Sequence, residues 1–387
     1  MTLAPALDFA ASSSRPHDTL NHLVVQLHDV AQRIDRRDSQ ASAALRSLMG
    51  KLQHHPDPRC TGLMVFASAM AERLADANVE CANLYLQRFA VPQIELFNLL
   101  GRHVPMVRMA TRIANDVLAQ AIQGQAHPTL IDIGIGTGRQ FEALLDDLAA
   151  ARALPRDLTV VGIEPAADAL ATAQAMLSAK TMQLGVTLHF HGFAATAEAL
   201  SDADWAQIAQ ACTAAPAINA AFALHHIADG AQGQDQRNAV LRRLHALAPQ
   251  ALVLAEPDVD HLEPRFFQRF RNCFAHFGAV FQVLDALPLQ QSERDALKVG
   301  FFGREIVDIL ATPDSLRRER HESAAAWFQR LAATGFQMRP AGVALPASGH
   351  PSVAAEQRGL RVALTGADEA LVALLVAVPR ASAAQRA

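Results

Sequence analysis

Gly134, Gly136 and Gly138 stand at alternate positions and could hold a ligand with backbone alone. They close the stretch TLIDIGIGTGR, from Thr129 to Arg139. Leu130, Ile131 and Ile133 make the short apolar run of a buried parallel strand, and a helical pattern begins near Gln140. Without side chains such a loop turns tightly, and its N–H groups and the following helix N-terminus can approach a ligand closely. The spacing is G-x-G-x-G, not the G-x-G-x-x-G of dinucleotide enzymes. Asp132 sits just before the first glycine. A carboxylate there suits S-adenosylmethionine (SAM), which carries an ammonium and a sulfonium but no pyrophosphate. A glycine turn that only packs a helix on a strand looks the same in isolation, so context must decide.

The next apolar run, Leu158 to Ile163, supplies that context by ending in Glu164. An acidic side chain there can accept both ribose hydroxyls of a nucleoside lying over the first strand. Alone it would equally suit an exposed carboxylate before a helix N-terminus. Placed in order after Asp132 and three glycines, it favours nucleoside binding. A third strand ends in HFHGF, where Gly192 and Phe193 could border the adenine; Phe193 fits the core equally well. Arg139, Pro165, Ala223 and Leu224 complete the expected cofactor-binding set.

The fourth strand ends in AFALHHI. A histidine there can act as general base on an O–H or N–H nucleophile, since imidazole is near-neutral at physiological pH. On extended backbone His225 and His226 would point apart, so one of them is expected to be structural. The fifth strand ends in AEPDVDH, which crowds Glu256, Asp258, Asp260 and His261. Such a cluster could orient a polar substrate, pair with a fourth-strand histidine, or hold a divalent cation. Asp258 or Asp260 could instead cap the helix that follows. The candidate catalytic residues are therefore His225, His226 and Glu256, and Asp258 and His261 are candidate substrate contacts. No dedicated ligand spacing is present, so no metal is expected. The stripe Phe266, Phe270, Phe274, Phe277 and Phe281 has helical spacing and reads as core.

These residues must be positioned by a chain of 387 residues that is 51% hydrophobic and carries a formal net charge of −4. That length holds one large domain or two ordinary ones. Acidic and basic residues are interspersed with no basic tail, which argues against a nucleic-acid partner. Cys60, Cys81, Cys212 and Cys273 are far apart, with neither zinc nor disulfide spacing. Without a signal-like N-terminus or a long uncharged apolar stretch, a soluble, cytoplasmic protein with no membrane partner is expected. Residues 1–16 read as a flexible lead, and 17–125 as a helical cap region. Residues 126–387 read as an α/β core in which strands alternate with helices, giving a mostly parallel sheet. A helical insertion is expected at about 262–335. Candidate strands at 359–364 and 370–378 could close the sheet as an antiparallel hairpin, turning at G-A-D-E.

The order of motifs resembles the GRAS domain, known from the plant scarecrow-like and DELLA regulators. The carriers are LIDIGIGTGRQ, TVVGIEP, AFALHHI, LVLAEPDVDH, FFGREI and the ERHE…W…R…GF segment, with FASAMAERLA resembling the family's helical cap. The resemblance implies a Rossmann-like class I methyltransferase core with that cap. Plant members are mostly non-enzymatic regulators with degraded glycine loops and long N-terminal extensions. Here the glycines and Glu164 are intact and no such extension is seen. The resemblance then implies a bacterial member acting as a SAM-dependent methyltransferase on a small-molecule acceptor, with a homodimer as one expectation. The alternatives are a non-catalytic ligand-binding or protein-interaction regulator, or an enzyme that cleaves or cyclises SAM.

Overall fold

Five apolar runs form five parallel strands: β1 Thr129–Ile133, β2 Asp157–Ile163, β3 Thr187–Phe193, β4 Ala217–Ala221 and β5 Ala251–Pro257. The computed structural model describes residues 14–75, 93–228 and 235–380. Most of the expected N-terminal lead lies outside them. β1 and β5 are buried along their length and β4 up to its last residue, as central strands covered on both faces must be, whereas β3 alternates as an edge strand does. The sheet order is β3-β2-β1-β4-β5, so the chain reverses direction of growth between β1 and β4. In open α/β sheets that switch point, at the strand carboxyl ends, is where ligands bind.

Beyond β5 the sheet becomes antiparallel. β9 (Glu369–Pro379) pairs with β5, β8 (Arg361–Gly366) with β9, and β7 (Val353–Arg358) with β8, while β6 (Phe336–Arg339) pairs with the end of β9. The expected hairpin is thus present, and its turn places Ala367 and Asp368 at φ 48° and 68°. Two successive left-handed residues are what a two-residue hairpin turn of right twist requires. β7 is an addition to the expected strands; its residues beyond Val353 are mostly exposed, so no alternation marks it.

The helices before the sheet are α1 Ser14–Asp35, α2 Ala41–Gln53, α3 Cys60–Leu74, α4 Gln93–His103 and α5 Pro105–Ile122. Those among the strands are α6 Arg139–Ala150, α7 Ala167–Leu184, α8 Asp202–Ala211 and α9 Gln236–Ala246. After β5 come α10 Phe266–Ala286, α11 Gln291–Asp295, a π-helical segment Ala296–Phe301, α12 Phe302–Leu310 and α13 Ala324–Ala333. Among these described helices none is long and apolar enough to cross a membrane.

The chain divides into two compact units, 1–100 with 263–317 and 101–262 with 318–387. This differs from the boundaries read off the sequence. Residues 263–317 belong with the N-terminal helices, while α5 and α13 belong to the sheet unit. The reason is physical: helical periodicity shows that a face is buried, not what buries it. The stripe of α5, with Met106, Ile113 and Val117, packs on β4 and β5. Within the helical unit the Phe stripe of α10 is core. Phe270, Phe274, Phe277 and Phe281 are all buried, with Phe66 of α3 tilted against Phe274 at 5.0 Å between ring centres.

In the sheet unit, strand alternation sends Ile131 and Ile133 to one face and Leu130 and Asp132 to the other. The first face packs with Trp205, Leu241, Leu244, Trp327 and Leu331 from α8, α9 and α13. Asp132 therefore lies on the α5 side of the sheet.

Candidate functional site

At the end of β1 the loop curls back onto β2, with Gly134 N–H donating to the Ile163 carbonyl at 2.8 Å. Gly136 and Gly138 both have left-handed φ, 55° and 80°. They are glycine for different reasons. A Cβ on Gly138 would lie 3.2 Å from the Ala173 backbone, so this glycine lets α6 pack against α7. A Cβ on Gly136 would meet nothing within 4 Å, so there the backbone faces open space. The Gly136 N–H donates to Glu164 Oε2 (3.1 Å), and Glu164 Oε1 accepts from Ala166 N–H (3.0 Å). Glu164 thus stands at the loop, half-buried, as its position at the end of β2 leads one to expect.

Asp132 is turned inward. It is buried, and accepts from Asn219 Nδ2 (2.7 Å), its register partner on β4. Asn219 Oδ1 accepts from Gln140 Nε2 (3.2 Å), and Asn115 Nδ2 donates to the Gln140 carbonyl (3.1 Å). Burial pushes the Asp132 carboxyl up to about 7, against the Asn219 hydrogen bond and with help from the Glu164 charge. Of the other expected cofactor contacts, Arg139 and Pro165 are exposed and Leu224 is buried. Ala223 lies beside the loop, 3.1 Å from where a Cβ on Gly134 would be. The Phe193 carbonyl accepts from Glu164 N–H (3.1 Å), while its side chain packs against the core, and Gly192 registers with Gly162.

A second constellation lies at the ends of β4 and β5. Phe222 takes φ 55°, and Leu224–His226 form one 3-10 turn. Because the backbone turns here, the two histidines do not diverge as extended backbone would force. Their rings lie 3.9 Å apart. Arg237 of α9 pins the turn by donating to the carbonyls of His225 (3.1 Å) and Ile227 (3.0 Å). The guanidinium itself pairs with Glu322 at 3.1 Å, and Glu322 with Arg330.

Glu256 is fully buried. Its Oε1 accepts from Leu224 N–H (2.8 Å) and Ala223 N–H (3.3 Å), and its Oε2 lies 2.5 Å from Nδ1 of His225. The pairing of Glu256 with a fourth-strand histidine is thus realised. His225 Nε2 lies 3.5 Å from Glu319 Oε2, and His226 Nδ1 lies 3.3 Å from Glu319 Oε1. Glu319 Oε2 also approaches His321 Nε2 (3.3 Å), and His321 Nδ1 lies 2.9 Å from Nδ1 of His261. Burial pushes Glu256 up to about 7, and burial with the neighbouring His226 holds His225 well below its ordinary value. His321 is lowered to about 4 by burial. Burial alone would raise Glu319, but its contacts with His226 and His321 hold it well below the usual carboxylate range.

Two residues expected at a substrate are committed elsewhere. Asp258 accepts from Ala324 N–H (2.8 Å) at the start of α13 and pairs with Arg361 (3.0 Å). It caps a helix, though not the Phe-rich one. His261 is fully buried behind His321. Sequence reasoning misses Glu319 and His321 as site residues; their only signal is the ERHE segment. It also misses Asn219 and Arg237, which sit in unremarkable stretches.

The order of the parallel strands, with the glycine loop at the switch point, defines an open α/β protein with a mostly parallel sheet. The profile of the GRAS domain family matches residues 23–348, and the chain belongs to that family. It is 29% identical over 254 residues to the GRAS family protein RAD1 of Medicago truncatula, covering 64% of this chain and 47% of the relative. It is 26% identical over 255 residues to the Scarecrow-like transcription factor PAT1 of Arabidopsis thaliana, covering 64% and 51%. The chain therefore spans about half the length of the curated relatives it matches. The crystal structure of SCL7 from Oryza sativa matches at TM-score 0.72 and 21% identity, covering 92% of this chain and 99% of that one, which shows the fold.

These relatives overturn the expectation of a methyltransferase. They are GRAS, DELLA and scarecrow-type proteins, while solved methyltransferase structures resemble the chain too distantly to carry a reaction. The catalytic roles expected of His225, His226 and Glu256 belong to that reaction.

Proposed function

We propose that the protein is a non-catalytic GRAS-type regulator that binds a nucleoside-bearing small molecule, with SAM as the first candidate, and acts through protein contacts. Membership of a family whose relatives include a named transcription factor carries this reading. The loop supports the ligand part. Gly136 exposes backbone to open space at the switch point, and Glu164 stands beside it with both oxygens on N–H groups. On ligand binding the Glu164 carboxylate would exchange the Gly136 N–H for ribose hydroxyls. In the cluster at β4 and β5, His225 is buried with its ring nitrogens facing Glu256 and Glu319 rather than solvent.

Equilibrium dialysis of labelled SAM against the full chain tests the reading. Saturable binding that Glu164→Ala weakens supports it. Absence of saturation at millimolar SAM removes the ligand from it, and steady conversion of SAM to product in the same samples removes the non-catalytic part.

A further inference from the structure

The buried polar cluster at the ends of β4 and β5 brings together three side chains in a way a salt-bridge network does not need. One nitrogen each from His225 and His321 and one oxygen of Glu319 all lie within 4.8 Å of one another. The two nitrogens are Nε2 in each case, and they stand 3.5 Å and 3.3 Å from the same Glu319 oxygen. A tetrahedral ion with bonds of about 2.0–2.1 Å holds adjacent donors roughly 3.3–3.4 Å apart, close to the spacing from each nitrogen to the Glu319 oxygen, and the two nitrogens lie within 4.8 Å of each other. We propose that His225 Nε2, His321 Nε2 and Glu319 Oε2 form a site for a divalent first-row transition ion, of which Zn2+ is the representative.

The surrounding hydrogen bonds fit the same assignment. A metal-bound imidazole presents one nitrogen to the ion and donates its other N–H to an acceptor that fixes the ring. His225 Nδ1 faces the Glu256 carboxylate, and His321 Nδ1 faces Nδ1 of His261. Both rings can therefore be Nδ1–H tautomers with Nε2 turned to the ion. Glu256 is itself held by two backbone N–H groups, and the His225 carbonyl by Arg237, so the first of these rings is fixed twice over. Two imidazoles and a carboxylate are borderline donors that suit zinc, iron or manganese rather than calcium. Two carboxylates, Glu256 and Glu319, match the charge of a divalent ion. His226 touches the other Glu319 oxygen from the exposed side and is outside the ligand set.

The assignment is tested on the full chain without an affinity tag, stripped with chelator and then dialysed against Zn2+ or Co2+. One ion per chain is expected by elemental analysis. Bound Co2+ should give the intense visible bands of a four- or five-coordinate site. His321→Ala and Glu319→Gln should each lower affinity by more than about tenfold, the loss that removing even an outer partner brings, and His226→Ala, which removes only an outer contact to Glu319, should lower it less than either. Absence of retained metal in the folded wild type overturns the proposal, as do weak octahedral Co2+ bands or undiminished affinity in folded His321→Ala. The wild-type stoichiometry and spectrum decide the matter even if the variants fail to fold.

Discussion

The two ends of the same sheet edge are built in opposite ways. At β1 and β2 the site is backbone: a glycine loop whose Gly136 N–H, with the Ala166 N–H, meets one half-buried carboxylate. At β4 and β5 it is side chain: a buried network running from Glu256 through His225, Glu319 and His321 to His261. A backbone site tolerates loss of its one acidic partner, because loop geometry is set by φ angles and helix packing. A side-chain site does not, because each buried polar group is satisfied by the next. Disturbing the two regions should therefore produce very different losses.

The largest effect is expected at Glu256. Glu256→Ala leaves the buried Leu224 N–H, the partly buried Ala223 N–H and the His225 ring without their acceptor. Each buried polar group left unsatisfied costs about 1–3 kcal/mol, so the urea midpoint should fall steeply. Glu256→Gln keeps an acceptor for Leu224 N–H and should cost less. A loss in Glu256→Ala no larger than that in Glu164→Ala would erase the distinction between the two regions.

Asp132 gives the next effect, through pH. Its folded carboxyl titrates at about 7 against an ordinary 3.8. Within that interval the folded chain holds a proton that the unfolded chain gives up. The stabilising contribution is thus complete at acid pH and is lost as pH rises through about 7, by at most about 1.4 kcal/mol per pH unit. Urea unfolding across that range should show the decline in the wild type. Asp132→Asn should make the decline shallower, leaving the part due to Glu256, which burial also raises to about 7; an unchanged slope in that variant would remove Asp132 from the account.

Smaller effects are expected at the loop. Glu164→Ala removes hydrogen bonds from a half-buried side chain and should cost about 1 kcal/mol or less. Gly136→Asn should cost only a few tenths, about the margin by which Asn tolerates left-handed backbone less well than Gly. It would nonetheless fill the open space beside the loop, so ligand binding should be lost while thermal stability is kept. A parallel loss of both would make Gly136 a folding residue like Gly138.

The same contrast explains which features the amino-acid sequence makes legible. β1 and its glycine turn are legible because the signal is local: a short apolar run, alternate glycines and a helix start within eleven residues of TLIDIGIGTGR. Glu164 is legible because it holds the same place one βαβ unit later. His225 and Glu256 are legible one at a time, each at a strand end. Their joining with Glu319 and His321 is not, because these residues come from segments nearly a hundred positions apart and Glu319 and His321 lie in a charged stretch without periodicity. The extended-backbone assumption for His225 and His226 fails at Phe222, whose left-handed φ carries no sequence signal. The unit boundary is hidden for a similar reason: α5 has the stripe of any amphipathic helix, and only contact with β4 and β5 assigns it to the sheet.

The measurement that bears most directly on a binding, non-catalytic protein is calorimetric titration of SAM into the full chain, with mass spectrometry of the cell contents afterwards. One saturable site per chain, with SAM recovered unchanged, is the expected result. Conversion of SAM to S-adenosylhomocysteine or another product over successive turnovers, or a flat titration at millimolar SAM, would contradict it.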